Sequence, residues 1–132
     1  EANPEKISNG ESLAIITYGR GVYWSLEAEK QFQGQVEIID LRTLNPLDED
    51  AMYRAARKHG KIMVVTEESV ECGFSLGLMA RIQKNCFKSL DAPVEMVGSV
   101  DTPAIPLNST LEFTLLPSGE KVATAIGNLL DY

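Results

Sequence analysis

Val36-Glu37-Ile38-Ile39-Asp40-Leu41-Arg42-Thr43-Leu44-Asn45-Pro46-Leu47-Asp48 passes from strand to helix start within one run. Val36, Ile38 and Ile39 are β-branched and suit a buried parallel strand. Pro46 has no place in a central strand and pushes Asn45 away from helical backbone. Asp48 then caps a helix with Glu49 and Asp50 in its first turn. Working outward, Leu13–Tyr18 reads as a buried strand stopped by Gly19-Arg20-Gly21. Residues 22–33 read as a helix with Val22, Leu26 and Phe32 on one side and Gly34 as its cap. The helix over 48–59 carries acids first and Arg54, Arg57 and Lys58 last, matching the helix dipole, and Gly60 ends it. Lys61–Thr66 is a third strand. Residues 75–88 form a helix with Leu76, Met79, Ile82 and Cys86 inward, and Pro93–Val100 is a fourth strand. A proline-punctuated loop spans 101–117. Pro117 and Ser118 open a last helix with Val122, Ala125, Ile126, Leu129 and Leu130 inward. Strands alternating with helices predict an α/β sandwich around a largely parallel sheet. Pattern alone leaves Glu5–Ser8 as coil.

The chain has 132 residues, the size of one domain, with residues 1–4 read as a linker or cut remnant and 5–132 as the domain. It begins with Glu1 rather than Met, which reads as a fragment. The hydrophobic fraction of 44% is ordinary for a globular protein. The net charge of −7 argues against nucleic acid and is compatible with a basic protein partner or with solubility alone. Cys72 and Cys86 lack metal-type spacing and read as free thiols in a reducing compartment. No apolar run approaches the ~18 residues of a membrane span, and no signal segment opens the chain.

Gly19-Arg20-Gly21 lies between a strand and a helix, where a phosphate-binding turn would sit. The full G-x-G-x-x-G is missing because residue 24 is Trp, so the glycines read first as turn geometry. Glu67, Glu68 and Glu71 follow the third strand. They could bind a cation or tune an acid, but such a run is more often a solvated loop. Gly73 and Gly77 suit close helix packing, including at a subunit interface. His59, the single histidine, sits at a basic helix end without an evident acid or nucleophile. Cys72 is flanked by acids, which disfavours a reactive thiolate. Asn108-Ser109-Thr110 is a formal glycosylation sequon without a secretory context. P-loop, H-E-x-x-H, G-x-S-x-G and Cys-x-x-Cys motifs are absent.

The Asp40–Asp48 motif resembles the C-terminal domain of the β-type E1 component of thiamine-diphosphate 2-oxo acid dehydrogenases, within the transketolase C-terminal domain family. Ala14–Gly19, Gly60–Glu67, Cys72-Gly73-Phe74-Ser75, Leu90–Val94, Asp101-Thr102-Pro103 and Leu116-Pro117 extend the resemblance in order along the chain. Thr66 stands where that family commonly has His, and Thr66-Glu67-Glu68 also resembles 1-deoxyxylulose 5-phosphate synthase. The resemblance implies a three-layer α/β/α sandwich with a five-stranded mixed sheet of order 1-3-2-4-5, strand 1 (Glu5–Ser8) being antiparallel. It implies a switch-point crevice where Gly19, Arg20 and Gly21 face Glu67 and Glu68. It further implies an assembly and docking domain without catalytic, cofactor or metal residues of its own, inactive in isolation. Thiamine diphosphate and Mg²⁺ would belong to the parent enzyme, whose Gly-Asp-Gly…Asn pattern is missing here. The partners implied are other E1 domains or subunits and the peripheral subunit-binding domain of E2, met by Asp131 and Tyr132. The setting would be the cytoplasm or a mitochondrial matrix. A transketolase-type synthase domain and a free-standing flavodoxin-like module are the alternatives. A receiver module is disfavoured because Gly19-Arg20, Glu67 and Gly98-Ser99 occupy the places of its acidic pair, aspartate and lysine.

Overall fold

In the computed structural model, which describes residues 4–132, the sheet has the order β1-β3-β2-β4-β5. Its strands are β1 (Glu5–Ser8), β2 (Leu13–Thr17), β3 (Val36–Asp40), β4 (Ile62–Ser69) and β5 (Glu95–Ser99). β1 runs antiparallel to β3, with Glu5 opposite Asp40 and Lys6 opposite Ile39. The other ladders are parallel, Ile15 lying opposite both Ile38 and Met63. The mixed sheet with an antiparallel first strand is therefore present, and the weak strand signal at Glu5–Ser8 is resolved by pairing with β3. Of the linker reading of residues 1–4, all but Pro4 lies outside the described residues.

Side chains that alternate along each strand build two cores. Ala14, Ile16, Ile39, Leu41, Ile62 and Val64 face one side and meet α2 (Glu49–His59) and α3 (Phe74–Cys86). Leu13, Ile15, Val36, Ile38, Met63 and Val65 face the other and meet α1 (Gly21–Glu29) and α5 (Gly119–Leu130). Apolar side chains on both faces are what gives these strands their near-continuous hydrophobic runs. The Asp40–Asp48 run performs as read: the Asp48 carboxylate accepts the Ala51 N–H at 2.9 Å, and Gly60 ends α2 at φ +71°.

Several boundaries and faces differ from the sequence reading. α1 ends at Glu29, and Gly34 (φ +76°) belongs to the turn before β3. Its buried stripe is Gly21, Trp24, Ser25 and Ala28 rather than Val22, Leu26 and Phe32. Small residues allow this close seat: a Cβ on Gly21 would lie 2.7 Å from the Val65 carbonyl oxygen. β4 continues through Ser69, so Glu67 and Glu68 are strand residues and not loop. α3 buries Ser75, Leu78, Ile82 and Cys86, while Leu76 is exposed. β5 begins at Glu95. The segment 101–117 contains a helix, α4 (Ser109–Leu115), capped by the Asn108 side chain, which accepts the N–H groups of Thr110 and Leu111. α5 starts from a Ser118 cap and buries Val122, Ala123, Ile126 and Leu129.

Candidate functional site

β2 and β4 lie side by side, and the chain leaves their C-terminal ends toward opposite flanks of the sheet. Open α/β sheets usually take ligands at such a switch point. After β2, Gly19 turns the chain at φ +57°. Arg20 then reaches Glu67 at 3.5 Å, with both side chains about half exposed. The Arg20 guanidinium also stands 5.5 Å from the centre of the Trp24 ring. Gly21 fixes the start of α1 against β4, where the Thr17 hydroxyl donates to the Val65 carbonyl at 2.8 Å.

Glu68 holds the centre of the crevice. Its Oε1 accepts the Ser75 N–H at 2.6 Å and the Tyr18 hydroxyl at 2.8 Å. Tyr18 Oη lies 3.0 Å from Ser75 Oγ and accepts a hydrogen bond from the Thr66 hydroxyl at 3.1 Å. Phe74 stands edge-on to the Tyr18 ring, with centroids 6.2 Å apart. The connecting turn passes through Cys72 at φ +56° and Gly73. A Cβ on Gly73 would lie 2.7 Å from the Glu68 carboxyl carbon. Burial pushes the Glu68 carboxyl up, but hydrogen bonds from Ser75, Tyr18 and Phe74 outweigh it and leave the group below its ordinary range. Tyr18 is raised, chiefly by burial and further by Glu68. An internal carboxylate thus occupies the first-turn N–H groups of α3, the place where a phosphate would be held. A phosphate there would have to displace Glu68.

The three carboxylates of this segment do not converge on a cation. Glu68 turns inward and Glu67 pairs with Arg20. Among the described residues no group of three or more His, Cys, Asp or Glu side chains is placed to hold a metal. The donor set and the filled crevice do not fit Mg²⁺ with a pyrophosphate. Asp131 and Tyr132 lie apart from this site, exposed beyond α5. Tyr132 borders an open depression of about 430 Å³ together with Phe87, Leu90 and Pro93.

A second polar cluster is the one the sequence reading misses. Glu37 is buried on β3 and accepts from Lys58 at 2.7 Å, with Lys6 and His59 Nε2 each 3.0 Å away. The His59 side chain is buried as well, and its Nδ1 has no partner among the described residues. The acid absent from the linear neighbourhood of His59 is therefore supplied by β3, on which α2 packs. Burial raises the Glu37 pKa, but the bonds from Lys58, His59 and Lys6 carry it down to about 2. The available signal was a single carboxylate inside an apolar strand run, which must find partners to be buried.

A family model described as the transketolase C-terminal domain matches residues 3–122. The β subunit of 2-oxoisovalerate dehydrogenase from Bacillus subtilis (strain 168) is 33% identical over 126 residues, covering 93% of this chain and 38% of that one. The pyruvate dehydrogenase E1 component subunit β of Rickettsia bellii is 35% identical over 123 residues, covering 91% and 38%. The β subunit of acetoin:2,6-dichlorophenolindophenol oxidoreductase from Cupriavidus necator is 35% identical over 122 residues, covering 90% and 36%. The chain thus spans a little over a third of the curated relatives it matches. A solved split-gene transketolase, an inactive β4 tetramer, superposes with a TM-score of 0.79 at 21% identity, covering 98% of this chain and 42% of that one. That likeness concerns the fold.

Proposed function

This chain belongs to the transketolase C-terminal domain family, and from that premise we propose that it is the assembly and partner-docking domain of a 2-oxo acid dehydrogenase E1 component. The observation that supports this reading is identity of 33% to 35% to E1-type β subunits over nearly the whole chain. The parent enzyme would decarboxylate a 2-oxo acid such as pyruvate or a branched-chain homologue and pass the acyl group to lipoyl-E2. Thiamine diphosphate, with Mg²⁺, supplies that chemistry in such parents. The residues here do not fit it, so the chemistry falls to other domains and this domain alone is inactive. A cytoplasmic or mitochondrial-matrix setting goes with this reading; among the described residues no helix is long and apolar enough to cross a membrane. A parent that is an oxidoreductase acting on acetoin is the second reading, favoured by the Cupriavidus necator relative.

For docking, Asp131 would supply an anion and Tyr132 an aromatic contact to the small basic subunit-binding domain of E2. Exposed Phe87 beside Tyr132 widens that apolar contact. A rim charge contributes on-rate and salt sensitivity, whereas a buried aromatic is an anchor worth ~2 kcal/mol or more. The test measures turnover of pyruvate, 3-methyl-2-oxobutanoate and acetoin by the full E1, and binding of the cognate E2 domain at low and high salt. Removal of residues 131–132 is expected to weaken E2 binding and leave turnover with an artificial electron acceptor unchanged. Exclusive turnover of a ketose donor would overturn the E1 reading, and E2 affinity indifferent to both salt and truncation would overturn the docking role.

A further inference from the structure

Between α2 and the β1 edge of the sheet lies a recess that the docking role does not use. Ala51, Arg54, Ala55 and Lys58 recur at helical spacing and share one face of α2. Glu37 and Ile39 are alternate residues of β3 and share one face of the sheet. Lys6 on β1 is the cross-strand partner of Ile39, so its side chain joins that same face. The helix face and the sheet face together line a pocket of about 260 Å³. Its lining divides by burial. Ile39, Ala51 and Ala55 are buried and make an apolar base. Lys6, Arg54 and Lys58 are exposed and make a cationic rim.

The charge here runs against that of the whole chain, which is −7. Glu37 Oε2 meets Lys58 at 2.7 Å and both Lys6 and buried His59 at 3.0 Å. That one carboxylate cannot offset Lys6, Lys58 and Arg54 together, and Glu11 approaches Lys58 only to 3.9 Å from an exposed position. Arg54 and Lys58 are like charges one turn apart, which works against the helix. Arg20, Arg42 and Arg81 pair with carboxylates, and Arg57 stands over the Tyr53 ring. Among the described residues Arg54 has neither kind of partner, so its whole donor fork is free. Solubility accounts for cations scattered over a surface. It does not account for cations gathered from a helix and a strand around one apolar recess.

We propose that this pocket binds a small organic anion, a monocarboxylate with a short aliphatic body. The Arg54 guanidinium matches a carboxylate in two parallel hydrogen bonds, and Lys6 adds an N–H beyond the one it gives Glu37. The aliphatic body lies on Ile39, Ala51 and Ala55. The volume of about 260 Å³ is the share of roughly nine water molecules, which suits a ligand of on the order of ten heavy atoms or fewer. Phosphate is the poorer fit. It leaves the apolar base wet, and the charge on Glu37 opposes a second negative charge more than a first.

The test is a methyl-resolved NMR titration of the intact protein, labelled at isoleucine and alanine, with 3-methylbutanoate, acetate and inorganic phosphate in turn. 3-Methylbutanoate is expected to shift the Ile39, Ala51 and Ala55 methyl signals with a Kd on the order of 1 mM or tighter. Acetate lacks most of the aliphatic body and is expected to bind about tenfold more weakly or worse; phosphate is expected to bind more weakly than 3-methylbutanoate. Arg54→Gln is expected to weaken 3-methylbutanoate binding about tenfold or more and to leave the melting temperature unchanged, because Arg54 is exposed. Arg54→Lys keeps the charge, loses the fork and falls between the two. Arg57→Gln removes the same charge outside the pocket and binds as the wild type does. No shift at about ten times the expected Kd, or shifts centred on other methyl groups, overturns the proposal. So does acetate or phosphate binding as tightly as 3-methylbutanoate, which would leave only a basic patch. Equal losses in the Arg54→Gln and Arg57→Gln variants overturn it as well, as does a fall in melting temperature in Arg54→Gln, which would make that side chain a structural one.

Discussion

Replacing Glu37 by glutamine removes one negative charge from β3 and keeps the side-chain shape. In the native domain three bases converge on this carboxylate, Lys58 at 2.7 Å and Lys6 and His59 at 3.0 Å. The fall from 4.5 to about 2 corresponds to roughly 3 kcal/mol in favour of the charged form. The Lys6 and Lys58 side chains are 43% and 42% exposed, so solvent screens part of that field. A discounted value of about 2 kcal/mol is the expectation for Glu37→Gln at neutral pH. The sign follows from linkage. A carboxyl with a depressed folded pKa contributes stability that is fully present above 4.5 and is lost as pH falls through about 2. The difference between wild type and variant therefore shrinks with acid. Urea unfolding followed by the fluorescence of buried Trp24 measures it, from pH 7 down to the acid limit of the native state. A difference under ~0.5 kcal/mol at neutral pH, or one that does not change across the acid range, would refute the reasoning.

At the crevice, Glu68→Gln keeps an acceptor for Tyr18 but removes the charge from the start of α3. A loss of about 1 kcal/mol in denaturant unfolding is expected, and the Tyr18 ionisation, now raised by burial and by Glu68, should move down toward 10.0 in a spectrophotometric titration. An unchanged Tyr18 titration would show that the 2.8 Å contact does not act on it. Gly21→Ala would bring a methyl group to 2.7 Å from the Val65 oxygen, costing about 1–3 kcal/mol by overpacking. Wild-type stability in that variant would mean that α1 can lift from β4 without penalty.

Element types were legible where one residue type admits one conformation. Asp48 and Ser118 as caps, Gly60 at positive φ and the β-branched run of β3 all behave as their chemistry dictates. The antiparallel placement of β1 came through family resemblance, because its local pattern is too weak to stand alone. Helix faces were harder to read. In α1 the large apolar residues Val22 and Leu26 lie partly outside while Gly21, Ser25 and Ala28 lie inside. Close approach to the sheet selects small volume there, and hydrophobicity scales do not encode volume. α4 was hidden by prolines on both flanks, and its signal, Asn108 as a cap, was overshadowed by the sequon it also forms. Arg20 and Glu67 were expected to face each other, and the two side chains do meet. The inward turn of Glu68 depends on Gly73 and Ser75, which no linear pattern joins to Tyr18. The Glu37 cluster joins three elements and was invisible for the same reason.

β1 has only four residues, its pairing with β3 shifts register between Lys6 and Ser8, and it carries the charged, exposed residues Glu5 and Lys6. These features make a poor template for further strand addition. Behind it lies β3, whose Val36, Ile38 and Ile39 are buried and whose outer backbone groups are satisfied through β1. If β1 peels away, an apolar strand with open hydrogen-bonding groups meets water, and the Lys6 contact to Glu37 goes with it. The short first strand thus acts as a guard on the sheet. Its detachment would be felt first as self-association of the chain, before any loss of helix content.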